Sequence, residues 1–151
     1  MNSFFGTDGV RGEAGIVLTP QLAFNLGFCA AYVLKKYAPG DKENALVIGR
    51  DTRISGSMLE SALAAGICAA GVDVYSAGVI PTPVVAVLTR KKSALAGVVI
   101  SASHNPSEYN GIKIFSSDGF NLPDALEDHI ETIILMPDKY ISPSSCRVGR
   151  A

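Results

Sequence analysis

The stretch Gly97–Phe115, GVVISASHNPSEYNGIKIF, decides the fold. Its apolar run Val98–Ile100 predicts a buried strand, because short continuous apolar runs are typical of sheets covered on both faces. The polar segment Ser101–Pro106 follows, and the dipeptide Asn110-Gly111 predicts a tight turn. Ile112–Phe115 is then predicted to be a further strand.

Helices and strands are predicted to alternate over the rest of the chain, after a loop-rich entry at residues 1–18. Such alternation predicts an α/β domain, layered helix–sheet–helix, with a mostly parallel (mixed) sheet. The predicted elements are a helix between Thr19-Pro20 and Pro39-Gly40, a strand at Ala45–Ile48, a helix at Ser57–Ala70, a strand at Val72–Tyr75, a helix from Thr82-Pro83 to about Arg90 and a helix at Asp124–Leu135.

Two of these helices carry end signals. Thr19 is placed to cap the first helix ahead of Pro20, whose missing N–H costs little at that position. Ser57 and Glu60 form an S-x-x-E pattern, which predicts a capping box, and Gly71 is expected to end the same helix.

Composition excludes several classes of protein. The 151 residues carry a net charge of −1 without a stripe of basic residues, so neither nucleic acid nor an anionic membrane is expected as a partner. The longest apolar runs are too short for a membrane span, and the first residues do not resemble a signal peptide. Cys29, Cys68 and Cys146 form no C-x-x-C pair and are expected to be free thiols. These features favour a cytoplasmic location.

Two glycine-rich strings are candidates for binding an anion. In Phe5–Gly12 (FGTDGVRG), glycines allow consecutive N–H groups to converge, and Arg11 offers a planar fork suited to phosphate. A surface turn with a solvated arginine is the alternative. Gly49–Gly56 (GRDTRISG) lies between a predicted strand and helix, where α/β folds place ligands. A local ion-pair network around Asp51 that braces the loop is favoured there.

The string Ser101–Pro106 (SASHNP) is typical of a nucleophile held in a fixed, exposed position, because its serines follow a rigid strand and lie on a turn that proline fixes. His104 could orient a phosphate, and the following strand could bring Lys113 to the same site. Lys113 would be a general base only if its pKa were lowered. An ordinary polar turn is the alternative. A Ser-His-Asp hydrolase fits poorly, because no G-x-S-x-G motif is present.

Together, the strings GTDGVRG, GRDTRISG and ISASHNP…NGIKIF resemble the α-D-phosphohexomutase superfamily, in particular its members that act on hexosamine phosphates. The resemblance implies that Ser103, the serine of the S-H-N-P motif, is phosphorylated and exchanges phosphate with a hexosamine 1,6-bisphosphate intermediate. It also implies Mg²⁺ as cofactor, with an oxygen of the Ser103 phosphate as one ligand. The chemistry of the residues fits this reaction, with catalysis expected of Arg11, His104 and Lys113 and binding of phosphate or substrate expected of Thr7, Arg11 and Asn105. Support of the loop is expected of Arg50, Asp51 and Arg53.

The resemblance also implies a domain organisation. Residues 1–136 correspond to the family's first domain, and residues 137–151 to a linker or the start of a second domain. The family's D-G-D-x-D-R string, which supplies the other Mg²⁺ ligands, is absent from this sequence. The chain is therefore expected to need the remaining domains as partners and to be inactive as a mutase alone. Phosphosugar is the expected substrate and a homodimer is possible. Alternatives are action on mannose or glucose phosphates and a non-catalytic phosphosugar-binding module.

Overall fold

The computed structural model describes residues 4–140 and 147–151. Five strands form one sheet in the order β1-β5-β4-β2-β3. Strand β2 pairs in parallel with both β3 and β4, whereas β5 pairs antiparallel with β4 and with β1. The strands are β1 Val10–Glu13, β2 Glu43–Arg50, β3 Asp73–Val79, β4 Ala94–Ile100 and β5 Tyr109–Ser116.

The helices cover both faces of this sheet. The larger core lies between the sheet and α1, α2 and α4, and includes Ile48, Ile100 and Ile112. On the opposite face, Val85 of α3 packs against Val99 and Phe115. The predicted layered α/β domain with a mixed sheet is confirmed. The helices are α1 Pro20–Tyr37, α2 Gly56–Ala69, α3 Thr82–Lys91, α4 Asp124–Leu135 and α5 Pro137–Tyr140.

The N-terminal predictions for α1 and α2 had different outcomes. The Thr19 hydroxyl accepts a hydrogen bond from the Leu22 N–H at 3.1 Å, as expected of the cap of α1. The capping box was wrong, because α2 begins at Gly56 and Ser57 lies inside the helix. Glu60 instead pairs with Arg50 across to β2, so a tertiary ion pair replaces the local capping bond.

Two predictions around the sheet edge were also wrong. The loop-rich entry contains strand β1, and Asn110-Gly111 lies inside strand β5 rather than in a tight turn. Both differences have one cause: β1 pairs with β5, so that Arg11 is opposite Gly111 and Gly12 is opposite Asn110. Pairing with a distant strand outweighs the local turn preference of Asn-Gly.

The last described residues run beside β3. The Gly149 N–H donates to the Cys68 carbonyl at 2.9 Å, and the Val74 N–H donates to the Arg150 carbonyl at 2.7 Å. Cys29 and Cys68 are free thiols, as predicted, and burial raises the pKa of Cys29 to about 11. Cys146 lies outside the described residues. Within the described ranges, no helix is long and apolar enough to cross a membrane.

Candidate functional site

Ser103 lies on the loop that joins β4 to β5. The loop begins after the buried residue Ile100, and Ala102 turns inward and is buried. Ser103 is exposed and has φ +53°, in the left-handed region that residues with a Cβ disfavour by about 1–2 kcal/mol. A strained, outward-facing serine therefore follows a fixed strand, and its neighbours must stabilise it.

The carboxylate of Asp51 is one source of that stabilisation. Its Oδ2 accepts a hydrogen bond from the Ser101 hydroxyl at 2.8 Å, and its Oδ1 accepts one from the Arg53 backbone N–H at 3.0 Å. The Ser103 N–H in turn donates to the Ser101 Oγ at 3.2 Å. Asp51 follows β2, so these bonds connect the ends of two neighbouring parallel strands.

Arg53 binds the same loop through its backbone carbonyls. Its Nε donates to Asp51 Oδ2 at 3.2 Å, and its side chain is only 12% exposed. All five N–H donors of the guanidinium therefore have an acceptor, so none is left for a ligand. The four carbonyl oxygens that accept from the guanidinium are those of Pro106 at 2.6 Å, Asn105 at 2.8 Å, Tyr109 at 2.9 Å and Ser103 at 3.2 Å.

Arg50 has a different location. Its Nε donates to the Glu60 carboxylate at 2.8 Å, which ties β2 to α2. Among the contacts of described residues, its one side-chain hydrogen bond toward the loop goes to the Asp51 carbonyl at 3.4 Å. Of the three residues expected to support the loop, Asp51 and Arg53 contact the serine segment, and Arg50 contacts the base of its own loop.

A cavity of about 510 Å³ opens beside Ser103. Its wall combines the Asp51–Ile54 segment with the serine loop, including the expected phosphate ligand Asn105. His104 is exposed on the loop but does not line this cavity. The lining residues are Asp51, Thr52, Arg53, Ile54, Ser103, Asn105 and Ser107.

Thr7 and Lys113 line a second cavity, of about 550 Å³, which shares no lining residue with the first. Residue 113 lies just beyond Ile112, the last residue of β5 that pairs with β1, and Gly9 packs beside it, since a Cβ on Gly9 would stand 2.9 Å from the Lys113 Cα. Asp124, Glu127 and Asp128 of α4 also line this cavity. Burial, followed by the charges of Asp124 and Asp128, raises the pKa of Glu127.

Arg11 lies in β1 and lines neither cavity. It is opposite Gly111, and a Cβ on that glycine would stand 3.0 Å from the Arg11 Cγ and 2.7 Å from the Ser101 carbonyl oxygen. The stem of Arg11 therefore lies beside the start of the serine loop. Its guanidinium forms a long ion pair with Asp8, at 3.8 Å.

Comparison with known proteins identifies the family. Residues 2–140 match the family described as phosphoglucomutase/phosphomannomutase, alpha/beta/alpha domain I. The chain belongs to this family.

Relatives of this phosphohexomutase domain include proteins named phosphoglucosamine mutase. The one from Ruminiclostridium cellulolyticum is 60% identical over 89% of this chain and 29% of its own length. The one from Carboxydothermus hydrogenoformans is 56% identical over 99% of this chain and 33% of its own length. The chain thus spans about a third of the length of these relatives.

Solved structures of the family have the same fold. A phosphoglucomutase/phosphomannomutase family protein from Burkholderia thailandensis matches with a TM-score of 0.81 and 28% identity, over 99% of this chain and 32% of that one. A putative phosphomannomutase from Thermus thermophilus matches with a TM-score of 0.76 and 27% identity, over 86% of this chain and 29% of that one.

The described residues of the phosphohexomutase domain bear on the expected Mg²⁺ site. Among the residues described, no three His, Cys, Asp or Glu side chains lie close enough together to hold an ion. Mg²⁺ prefers oxygen ligands, and an unmodified Ser103 hydroxyl is not a sufficient donor set. The assignment of a Ser103 phosphoryl oxygen as a Mg²⁺ ligand stays a prediction.

Sequence reasoning missed three polar residues that shape the phosphohexomutase site. Ser101 joins Asp51 to Ser103. The buried Asn110 side chain donates to the Ser55 hydroxyl at 2.9 Å and accepts from the Gly111 N–H at 2.8 Å. The two-residue spacing of Ser101 and Ser103 could have indicated the role of Ser101, since a serine hydroxyl often bonds to the backbone two residues further along the chain.

Proposed function

We propose that the chain is the serine-carrying domain of a phosphoglucosamine mutase, which interconverts glucosamine 6-phosphate and glucosamine 1-phosphate. The observation that carries the proposal is the exposed Ser103, held in a left-handed conformation by bonds from a neighbouring strand end. The names of the relatives at 56–60% identity support the choice of sugar. The product would serve amino-sugar and cell-wall synthesis in the cytoplasm.

The reaction would begin with a glucosamine 1,6-bisphosphate. The Ser103 Oγ attacks one phosphorus, a new O–P bond forms, and the bond from that phosphorus to the sugar oxygen breaks. The Ser103 proton leaves and the released sugar oxygen gains a proton. Phosphoryl transfer depends mainly on positioning and on neutralising spread negative charge, which suits a preformed serine loop.

The cations would have separate roles in this proposal. Arg53 positions the loop and does not bind phosphate, because its donors are occupied. Arg11, His104 and Lys113 remain the proposed groups that meet the phosphoryl oxygens, with Thr7 and Asn105 as further ligands. Lys113 and Thr7 line the second cavity, so their proposed role requires the substrate or the loop to span both cavities.

The domain boundaries belong to the same proposal. Residues 1–136 would form the serine-carrying domain, and residues 137–151 would lead into a second one. Because the chain spans about a third of its relatives, we propose that it accepts a phosphoryl group but does not complete the mutase cycle alone. A second copy of the chain is a proposed partner only.

Intact-mass measurement with peptide mapping tests the proposal. The chain is incubated with glucosamine 1,6-bisphosphate and Mg²⁺, and the Ser103→Ala variant is the control. We expect one phosphoryl adduct on Ser103, absent from the variant, and slower labelling by the glucose and mannose bisphosphates. Faster labelling by either of these would move the proposal to a phosphoglucomutase or phosphomannomutase. An adduct on another residue, or none in the chain and the full-length protein, would contradict it.

A further inference from the structure

The hydroxyl of Ser101 can donate and accept its two hydrogen bonds in only one way. A carboxylate only accepts, so the Ser101 O–H donates to Asp51 Oδ2. The lone pairs of the same oxygen then face the Ser103 N–H, which donates to it at 3.2 Å. The single proton of Ser101 is therefore committed to Asp51.

Asp51 is itself held in place, which is why this arrangement differs from an ordinary serine turn. Its two oxygens also accept from the backbone N–H and the Nε of Arg53. Arg53 in turn holds four carbonyls of the serine loop. The position of Ser101 is thus fixed from a segment about fifty residues away along the chain.

We infer that Ser101 is a positioning residue that transmits the fixed geometry of Asp51 and Arg53 to the backbone of Ser103. The inference rests on the proposed function in one respect only, namely that Ser103 accepts the phosphoryl group. By holding the Ser103 N–H, Ser101 keeps residue 103 in its left-handed conformation, with its side chain directed outward. The same bonds explain why phosphorylation would occur on Ser103 and not on Ser101.

The first test follows the Ser103 amide itself and needs no activity. Its hydrogen-exchange rate is measured by NMR in the unmodified chain, in Ser101→Ala and in Ser101→Thr. We expect exchange to accelerate on the order of tenfold in Ser101→Ala, because the acceptor is lost, and to stay within about twofold in Ser101→Thr, which keeps a hydroxyl. Unchanged exchange in Ser101→Ala would overturn the inference.

Ser107→Ala is the matched control, since it removes a hydroxyl from the same loop. The Ser107 Oγ contacts Glu108 and not Asp51, so the exchange of the Ser103 amide is expected to stay the same. An equal acceleration in Ser107→Ala would show general loosening of the loop and would also overturn the inference. Amides of β2, such as Ile48, report whether each variant is folded.

The second test measures the rate of Ser103 labelling by glucosamine 1,6-bisphosphate. Misplacing a reacting group by about 1 Å costs on the order of 100-fold, so we expect Ser101→Ala to lower the maximal rate between tenfold and 100-fold. The half-saturating concentration should change little, and Ser101→Thr should restore the rate. If the unmodified chain and the full-length protein are not labelled, the proposed function fails, while the amide measurement still decides the role of Ser101.

Discussion

The cavity beside Ser103 and the cavity beside Thr7 differ in how their walls are held. Around Ser103, one guanidinium bonds four backbone carbonyls and a carboxylate, and a serine hydroxyl joins that carboxylate to the next amide. Around Thr7, the turn is closed by two backbone bonds between Gly6 and Gly9. Within the described part of the chain, the guanidinium of the nearby Arg11 forms one ion pair, the long one to Asp8.

This contrast separates two tasks. Ser103, the proposed nucleophile, is placed by interactions internal to the domain. Arg11 and Lys113, two of the three groups proposed to meet phosphate, are not bound into the serine loop by the contacts described.

Arg53→Ala should have the largest effect, because it removes the donors to four carbonyls and leaves Asp51 without its ion pair. We expect a loss of about 2–3 kcal/mol in the free energy of unfolding, measured by urea denaturation, and labelling of Ser103 slowed on the order of 100-fold. Arg53→Lys should recover only part of the stability and part of the labelling rate, because an ammonium has three N–H donors and a guanidinium has five. Arg50→Ala is the control, and equal slowing of labelling there would contradict the account.

Gly111→Ala tests the contact between Arg11 and the serine loop. The added Cβ would stand 2.7 Å from the Ser101 carbonyl oxygen, which is backbone and cannot move without shifting the loop. We expect a loss of about 1–2 kcal/mol, measured by urea denaturation. Gly40→Ala is the control, since no atom lies within 4 Å of its added Cβ. Equal stability of the two variants would show that the backbone at Gly111 does not pack closely against the start of the serine loop.

Asp8→Asn should change stability by less than about 0.5 kcal/mol, because exposed ion pairs at such distances contribute little. Urea denaturation checks this value. A loss comparable to that of Arg53→Ala would contradict the contrast between a tightly held serine loop and a lightly held N-terminal turn.

Glu127→Gln should give the smallest effect, a gain in stability that depends on pH. The pKa of Glu127 is raised in the folded state by burial, so its ionised form opposes folding above that pKa. The variant should therefore have a higher Tm than the unmodified chain near pH 7. The difference should vanish as the pH falls below the ordinary glutamate pKa of about 4.3. A gain in Tm that persists below that pH would show that the raised pKa of Glu127 is not its cause.

Sequence determined most of the fold because most signals were local. The capping Thr19 and the proline after it placed α1, and α4 has the predicted bounds Asp124–Leu135. The errors occurred where a distant partner outweighs a local preference, as at Asn110-Gly111 opposite β1 and at Glu60 opposite Arg50.

The site was predictable only in part, for the same reason. The motif strings indicated Ser103 and an ion pair between Asp51 and Arg53, and the structure contains that pair at 3.2 Å. The bonds from Arg53 to carbonyls about fifty residues away, and the role of Ser101 between two loops, depend on the neighbouring positions of β2 and β4 in the sheet. Spacing within one string contains no information about such a contact.

A crystal structure of the chain after labelling tests the central claim most directly, namely that Arg53 holds the loop while other cations meet the phosphate. The account predicts a phosphoryl group on Ser103, with the guanidinium of Arg53 still bonded to the carbonyls of Ser103, Asn105, Pro106 and Tyr109. A structure in which Arg53 has left these carbonyls to bind the phosphoryl oxygens would contradict it.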